Sequence, residues 1–398
     1  MKKNALSILF VLILLTATRC DNNGEQTLPR QPGSLVSVTA TASYSYQQLR
    51  VYTDFLGLDD FSDLISYDVQ VYKLVYYTKF NETDVTASGL LFVPRNLTSG
   101  APIVSIHHGT TFRKDDVPSV SGEFSGVELL ASAGYIAIMP DYLGYGESAE
   151  VFHPYYDREH SARAVTDMIS ATAEFLTRET IPLDERLFLA GYSEGGYVTM
   201  AAAQAIEAGA LPEFSLTAVA AGAGGYDLPH MLSALIEADE YDYPAYIAFL
   251  IMAYNNTYNW GLPLNYFFRE QYASVLEEYM TGQYGDGAIN PKLPSSVSEL
   301  LNPDFFAGLM DTEGEPAFKQ ALAMNSVSDW LASSPIRLYH GTNDAVVPYS
   351  NSEKTLESMN AAGSSDVSLT AIPGGDHGNS LIPMLIMTIP WFEELRQQ

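Results

Sequence analysis

The chain has 398 residues, 47% hydrophobic and 17% charged, enough apolar material for a large folded core and too little charge for a disordered chain. Lys and Arg number 20 against 48 Asp and Glu, a formal net charge of −28. So acidic a surface repels phosphate backbones, which excludes nucleic acid as a partner and disfavours adhesion to an anionic membrane, while a neutral or apolar small molecule is easily accommodated.

The N-terminus has the pattern of an export signal. Lys2 and Lys3 precede the mostly apolar run Ala5–Leu15, which is too short to span a bilayer well. Cys20 follows and is the only cysteine, so the fold has no internal disulfide. Its position resembles the lipid-modified cysteine of a bacterial lipoprotein, with residues 1–20 as the signal. That makes Cys20 a lipidation candidate and implies an exported protein held at the cell envelope by its N-terminal lipid, the only membrane contact expected. Without the lipid it would be secreted. Residues 21–66 are expected to be a polar tether and leader, since the stretch is rich in Ser, Thr, Gln, Pro and Gly up to about Gln48.

From Tyr67 the pattern turns strand-like. Residues 68–77 and 85–93 are rich in β-branched and aromatic side chains and flank a turn at 81–84, which predicts a hairpin. The rhythm then alternates. Short apolar strands are predicted at 103–106, 135–139, 186–190 and 216–220. Helices fall between them, with Val165, Met168, Ile169, Phe175 and Leu176 at helical spacing on one. Residues 226–334 carry no such strands and are dense in Tyr, Phe and Trp. Strands resume at 336–340 and 367–372, around a helix for which Ser350 and Glu353 would form a capping box, and an apolar helix from about Ser380 closes the chain. Alternating strands and helices predict an α/β fold with a mostly parallel sheet covered on both faces. The interruption predicts a helical cap, giving a core of residues 67–225 and 335–398 and a cap of 226–334.

Gly191-Tyr192-Ser193-Glu194-Gly195 fits G-x-S-x-G, and it lies where a buried strand turns into a helix. That context is what a nucleophile elbow requires, because so tight a turn has no room for large neighbours. A serine hydroxyl needs a base, and the base needs an acid to orient it. His377 stands on the glycine-rich loop Gly374–Gly378 after the last predicted strand, where its imidazole can reach the serine. Asp344 follows the preceding strand and is the expected acid. Asp376 adjoins the histidine but, on an extended chain, would point away from it. His340 and His230 are expected to be structural. The oxyanion donors should be the N–H groups of Glu194, directly after the serine, and of Thr110 in the turn His107–Thr111, with Gly109 the second choice for that turn.

Together these residues resemble the α/β-hydrolase superfamily over residues 67–398. Within it, Met139–Gly146 (M-P-D-Y-L-G-Y-G), His153-Pro154-Tyr155 and a helix starting near Asp157 are similar to the secretory lipase and carboxylesterase group. The resemblance implies a helical lid between the sixth strand and the acid-bearing strand, a structural Asp141, and a serine carboxylic-ester hydrolase acting through an acyl-enzyme on a small-molecule or lipid ester. No metal or cofactor is expected, since H-E-x-x-H, paired cysteines and a P-loop lysine are all missing. Three other readings share these motifs: a peptidase of the prolyl oligopeptidase type, a feruloyl or acetyl esterase acting on carbohydrate, and a non-catalytic binding protein on a hydrolase scaffold. The sequence fixes no oligomeric state.

Overall fold

The computed structural model describes residues 31–55, 58–238 and 240–398; residues 1–30, with the expected signal and Cys20, lie outside the described residues. The strands are β1 (Leu35–Tyr44), β2 (Val69–Phe80), β3 (Thr83–Pro94), β4 (Ala101–His107), β5 (Ile136–Pro140), β6 (Leu183–Tyr192), β7 (Ser215–Gly222), β8 (Ile336–Gly341) and β9 (Val367–Ile372). They form one sheet in the order β1-β2-β3-β5-β4-β6-β7-β8-β9. β1, β2, β3 and β5 pair antiparallel; from β5 to β9 every pairing is parallel. This is the architecture of an α/β hydrolase.

The central strands are apolar throughout because both faces of the sheet are covered. In β6, Leu187 and Leu189 enter one core while Phe188 and Ala190 enter the other; in β7, Val219 and Ala221 oppose Ala218 and Ala220 in the same way. Helices Arg158–Arg178, Glu194–Glu207 and Tyr349–Ala361 cover the first face, and Tyr46–Phe55, Val127–Ser132 and Leu381–Gln397 the second.

Two local expectations are corrected. The stretch expected as tether and leader is structured from Leu35 onward. β1 pairs with β2 at the sheet edge, and the helix Tyr46–Phe55 follows it. Most β1 side chains are exposed or half-buried, so its Ser, Thr and Ala carry no hydrophobic signature of a strand. The Ser350/Glu353 capping box does not form: the helix starts two residues earlier, with Pro348 at the cap position, and the Ser350 hydroxyl lies 3.1 Å from His230 Nε2.

The cap lies between β7 and β8. It is the seventh strand and not the sixth that precedes it, because β1 adds one to the count. The cap's helices include Leu228–Glu237, Pro244–Thr257, Glu270–Tyr279, Pro303–Met310 and Pro316–Asn325. Its aromatics divide between two tasks. Phe267, Phe268 and Phe305 are fully buried, with Phe267 edge-on to Phe305 at 5.2 Å, and extend the core of the sheet's first face into the cap. Tyr241 and Tyr246 instead face the cleft above the sheet. A polar knot pins the cap down. The Asp157 carboxylate caps its helix at the His160 N–H, accepts from His160 Nδ1 at 2.7 Å and accepts from the cap residue Tyr258 at 2.8 Å. Tyr197 and Tyr254 both donate to the Tyr156 carbonyl at 3.0 Å.

Asp167 is buried on the helix Arg158–Arg178. Burial pushes its carboxyl up to about 6, against the pull of Thr78 and nearby Arg163. Its folded pKa therefore exceeds its unfolded value of about 3.9, so the group's favourable contribution is full below pH 4 and is lost as pH rises through 6. Asp167→Asn should match the wild type in thermal melts at pH 4 and exceed it at pH 7 by about 2–3 kcal/mol, a gap absent only if Asp167 is an ordinary surface-like acid.

Candidate active site

β6 ends at Tyr192 and the next helix begins at Glu194, so Ser193 alone makes the turn. Its φ of 59° and ψ of −125° lie in sparsely populated territory for a side-chain-bearing residue, a cost of about 1–3 kcal/mol. Backbone bonds hold it there: the Ser193 N–H donates to the Gly222 carbonyl at 2.9 Å, and its own carbonyl accepts from Gly196 at 2.9 Å. The two flanking glycines are sterically required. A Cβ on Gly191 would lie 2.2 Å from the Gly195 oxygen, and one on Gly195 would lie 2.0 Å from the His107 oxygen.

The strand ends bring the three expected residues together. His377 Nε2 lies 2.9 Å from Ser193 Oγ, and His377 Nδ1 lies 2.7 Å from Asp344 Oδ2. The Asp344 side chain is fully buried. Its Oδ1 accepts the Val346 and Val347 N–H groups, each at 2.9 Å, and His340 Nε2 stands 3.2 Å from its Oδ2. Burial alone would raise its pKa, but the hydrogen bonds from His340 and His377 outweigh this and hold the carboxyl well below the usual carboxylate range. The loops bearing acid and histidine are laced together, Asn343 N–H to the Gly375 carbonyl at 2.9 Å and Gly374 N–H to Thr342 Oγ1 at 2.9 Å. The Tyr192 hydroxyl donates to the His377 carbonyl at 2.8 Å. Asp376 instead caps Asn379 with both side-chain oxygens and is exposed.

Glu194 follows Ser193 directly, and a Cβ on Gly109, the neighbour of Thr110, would sit 3.7 Å from the serine Cβ. Among the turn and cap hydrogen bonds of the described residues, neither the Thr110 nor the Glu194 N–H donates to a carbonyl. Tyrosines hold the Thr110 turn from behind. Tyr142 donates to the His108 carbonyl at 2.9 Å, Tyr145 donates to the Thr111 carbonyl at 2.5 Å, and the Tyr155 hydroxyl lies 3.1 Å from Thr110 Oγ1. The His108 ring stacks on Tyr142 at 4.1 Å. Burial, with help from neighbouring His108, drives His107 down to about 3; this neutral ring joins Ser105 to Thr199. Asp141 is fully buried between Ser88 and Ser119, tying β3 to the loop beyond β4.

A family model described as secretory lipase matches residues 119–396. The chain belongs to the secretory lipase family. No functionally curated protein matches it. Solved structures do. A candidate hydrolase from Legionella pneumophila is 26% identical with a TM-score of 0.82, covering 92% of this chain and 98% of its own. The rice cell wall degrading esterase LipA of Xanthomonas oryzae is also 26% identical, with a TM-score of 0.78 and the same coverage. Candida antarctica lipase A, 14% identical, shares the fold with a TM-score of 0.68 over 92% of this chain and 82% of its own. This family member is thus a hydrolase of the lipase and esterase kind.

Some of the site escaped sequence reasoning. The M-P-D-Y-L-G-Y-G and H-P-Y segments were recognisable as family marks, but nothing in their spacing said that three of their tyrosines grip the Thr110 turn. Nor did the sequence show that His340 contacts Asp344. In the family member's elbow, Gly195→Ala should lower the melting temperature by the equivalent of about 3 kcal/mol or more and abolish ester hydrolysis, since the methyl meets a backbone carbonyl that cannot turn away. An unchanged melt would show that the elbow has slack the distances deny.

Proposed function

We propose that this family member hydrolyses neutral, apolar carboxylic esters through a Ser193 acyl-enzyme. The observation that carries this is the hydrogen-bonded line Ser193–His377–Asp344 at the base of an apolar cleft. His377 Nε2 takes the proton from Ser193 Oγ as the oxygen attacks the ester carbonyl. The Asp344 carboxylate, accepting from Nδ1, fixes the tautomer and stabilises the imidazolium. The N–H groups of Thr110 and Glu194 receive the developing oxyanion. His377 returns the proton to the leaving alcohol, then deprotonates a water that releases the acid.

The cleft is lined by Tyr155, Tyr156, Leu232, Leu235, Tyr246 and Leu250 among others, none of its described lining residues being charged. Such walls favour an alkyl or aryl acyl group over a peptide's polar backbone or a sugar ring. Membership of a secretory family supports export. Among the described residues no helix is long and apolar enough to cross a membrane. Membrane attachment is assigned to lipid on Cys20, from its place just after the apolar run Ala5–Leu15. Mass spectrometry of the mature N-terminus tests that assignment.

A fluorophosphonate probe should label the wild type and not Ser193→Ala. Asp344→Asn should keep KM and lower kcat by about 10³–10⁴-fold. With p-nitrophenyl esters, a feruloyl sugar and a proline-containing p-nitroanilide side by side, the simple esters should turn over fastest. Preference for the anilide would give the peptidase reading, preference for the sugar ester the carbohydrate-esterase reading, and no turnover or labelling the non-catalytic one.

A further inference from the structure

The Glu194 side chain does what no elbow requires. It turns inward, only 1% exposed, and its Oε1 lies 2.7 Å from Nε2 of His153, itself 5% exposed. His153 Nδ1 lies 2.7 Å from the Leu143 carbonyl, which can only accept, so Nδ1 carries a hydrogen. One further proton must then lie between Nε2 and Oε1, since a bare carboxylate facing a bare ring nitrogen at that distance would repel. The pair is therefore joined by a hydrogen bond carrying that one proton in an aromatic box, with Tyr145 at 4.6 Å and Phe249 at 5.7 Å from the imidazole. Glu194 Oε2 has no partner, so His153 is the side-chain anchor of this carboxylate. Two residues on, the Tyr155 hydroxyl meets Thr110 Oγ1 at 3.1 Å.

We infer that the His153-Pro154-Tyr155 segment is a brace for the oxyanion hole: His153 fixes the peptide of Glu194 through its side chain, and Tyr155 fixes Thr110, so one short loop sets the spacing of both donors. His153, Tyr155 and the Glu194 side chain are positioning residues; they touch no reacting atom. The pair is not needed to make the turn, whose geometry comes from glycines and backbone bonds. A brace of this kind acts on the transition state, where the oxygen moves toward the two N–H groups, and not on substrate in the ground state. The inference rests on the Ser193 reading.

The test is steady-state kinetics on a p-nitrophenyl ester with circular dichroism to confirm folding, using Glu194→Gln, Glu194→Ala, His153→Ala, Tyr155→Phe and Ser193→Ala. The glutamine keeps a hydrogen bond to a neutral His153 and should retain kcat within about threefold. Glu194→Ala and His153→Ala should lose about 100-fold in kcat with KM within about threefold, the scale of one impaired oxyanion donor. Tyr155→Phe should lose about fivefold in kcat. His153→Ala strands a buried carboxylate and need not fold; the Gln/Ala contrast at Glu194 and the single hydroxyl removed at Tyr155 then decide. Unchanged kcat in folded Glu194→Ala, a loss confined to KM, a glutamine as damaging as the alanine, or a Tyr155→Phe indistinguishable from wild type would overturn the brace. Ser193→Ala separates the two failures: if it is inactive while Glu194→Ala is normal, only the brace fails; if it stays active, the Ser193 reading fails first.

Discussion

Ser193 is held in a backbone conformation that a serine would not choose, and much of the surrounding structure follows from that. With one residue between strand and helix, the hydroxyl is carried off the end of the strand, where His377 Nε2 meets it at 2.9 Å. The turn closes only if nothing larger than hydrogen occupies Gly191 and Gly195, because the elbow packs against itself and against the end of β4. The constraint passes outward: β4 must stop beside β6 for its following turn to face the serine. The strained conformation is over-determined by the sheet on one side and a buried helix on the other, as a stored strain of this kind must be.

Charge is arranged around that turn with the same economy of space. Asp344 has no exposure, yet it stays ionised because two backbone N–H groups and two histidines converge on it. Glu194, the residue after the serine, is as deeply buried and is held through one of its oxygens by His153. Two buried carboxylates thus each hold an imidazole: that of His377 reaches the serine hydroxyl, whereas the ring nitrogens of His153 meet Glu194 and the Leu143 carbonyl. The cap closes over both with apolar and aromatic side chains, which strengthens every polar interaction beneath.

The cap's aromatic side chains divide between its interior and the cleft. Phe267, Phe268 and Phe305 pack the cap's interior as a continuation of the core on the first face of the sheet, while Tyr241 and Tyr246 face the cleft. Composition alone does not divide these sets, because a ring that packs inward and a ring that lines a cavity leave the same mark on a sequence. The division depends on how helices joined by loops come to lie on one another.

Period and punctuation carried most of the fold. Buried parallel strands must be apolar on both faces, so β4 to β7 were legible as short apolar runs. The elbow was legible because only glycine fits beside that serine, and Asp344 and His377 because each follows a strand in the order the chemistry needs. β1 was not legible, since an exposed edge strand needs no hydrophobic alternation. The roles of Tyr142, Tyr145, Tyr155, His153 and the Glu194 side chain were not legible either. Each depends on a partner between 10 and 45 residues away, supplied by a different loop. The sequence by itself determined the fold class, the elbow and which residues compete to be nucleophile, base and acid, because those demands are local. Only the tertiary structure decided which loop holds Thr110 and the Glu194 side chain and which aromatics line the cleft, because distances between loops are set by packing and not by order along the chain.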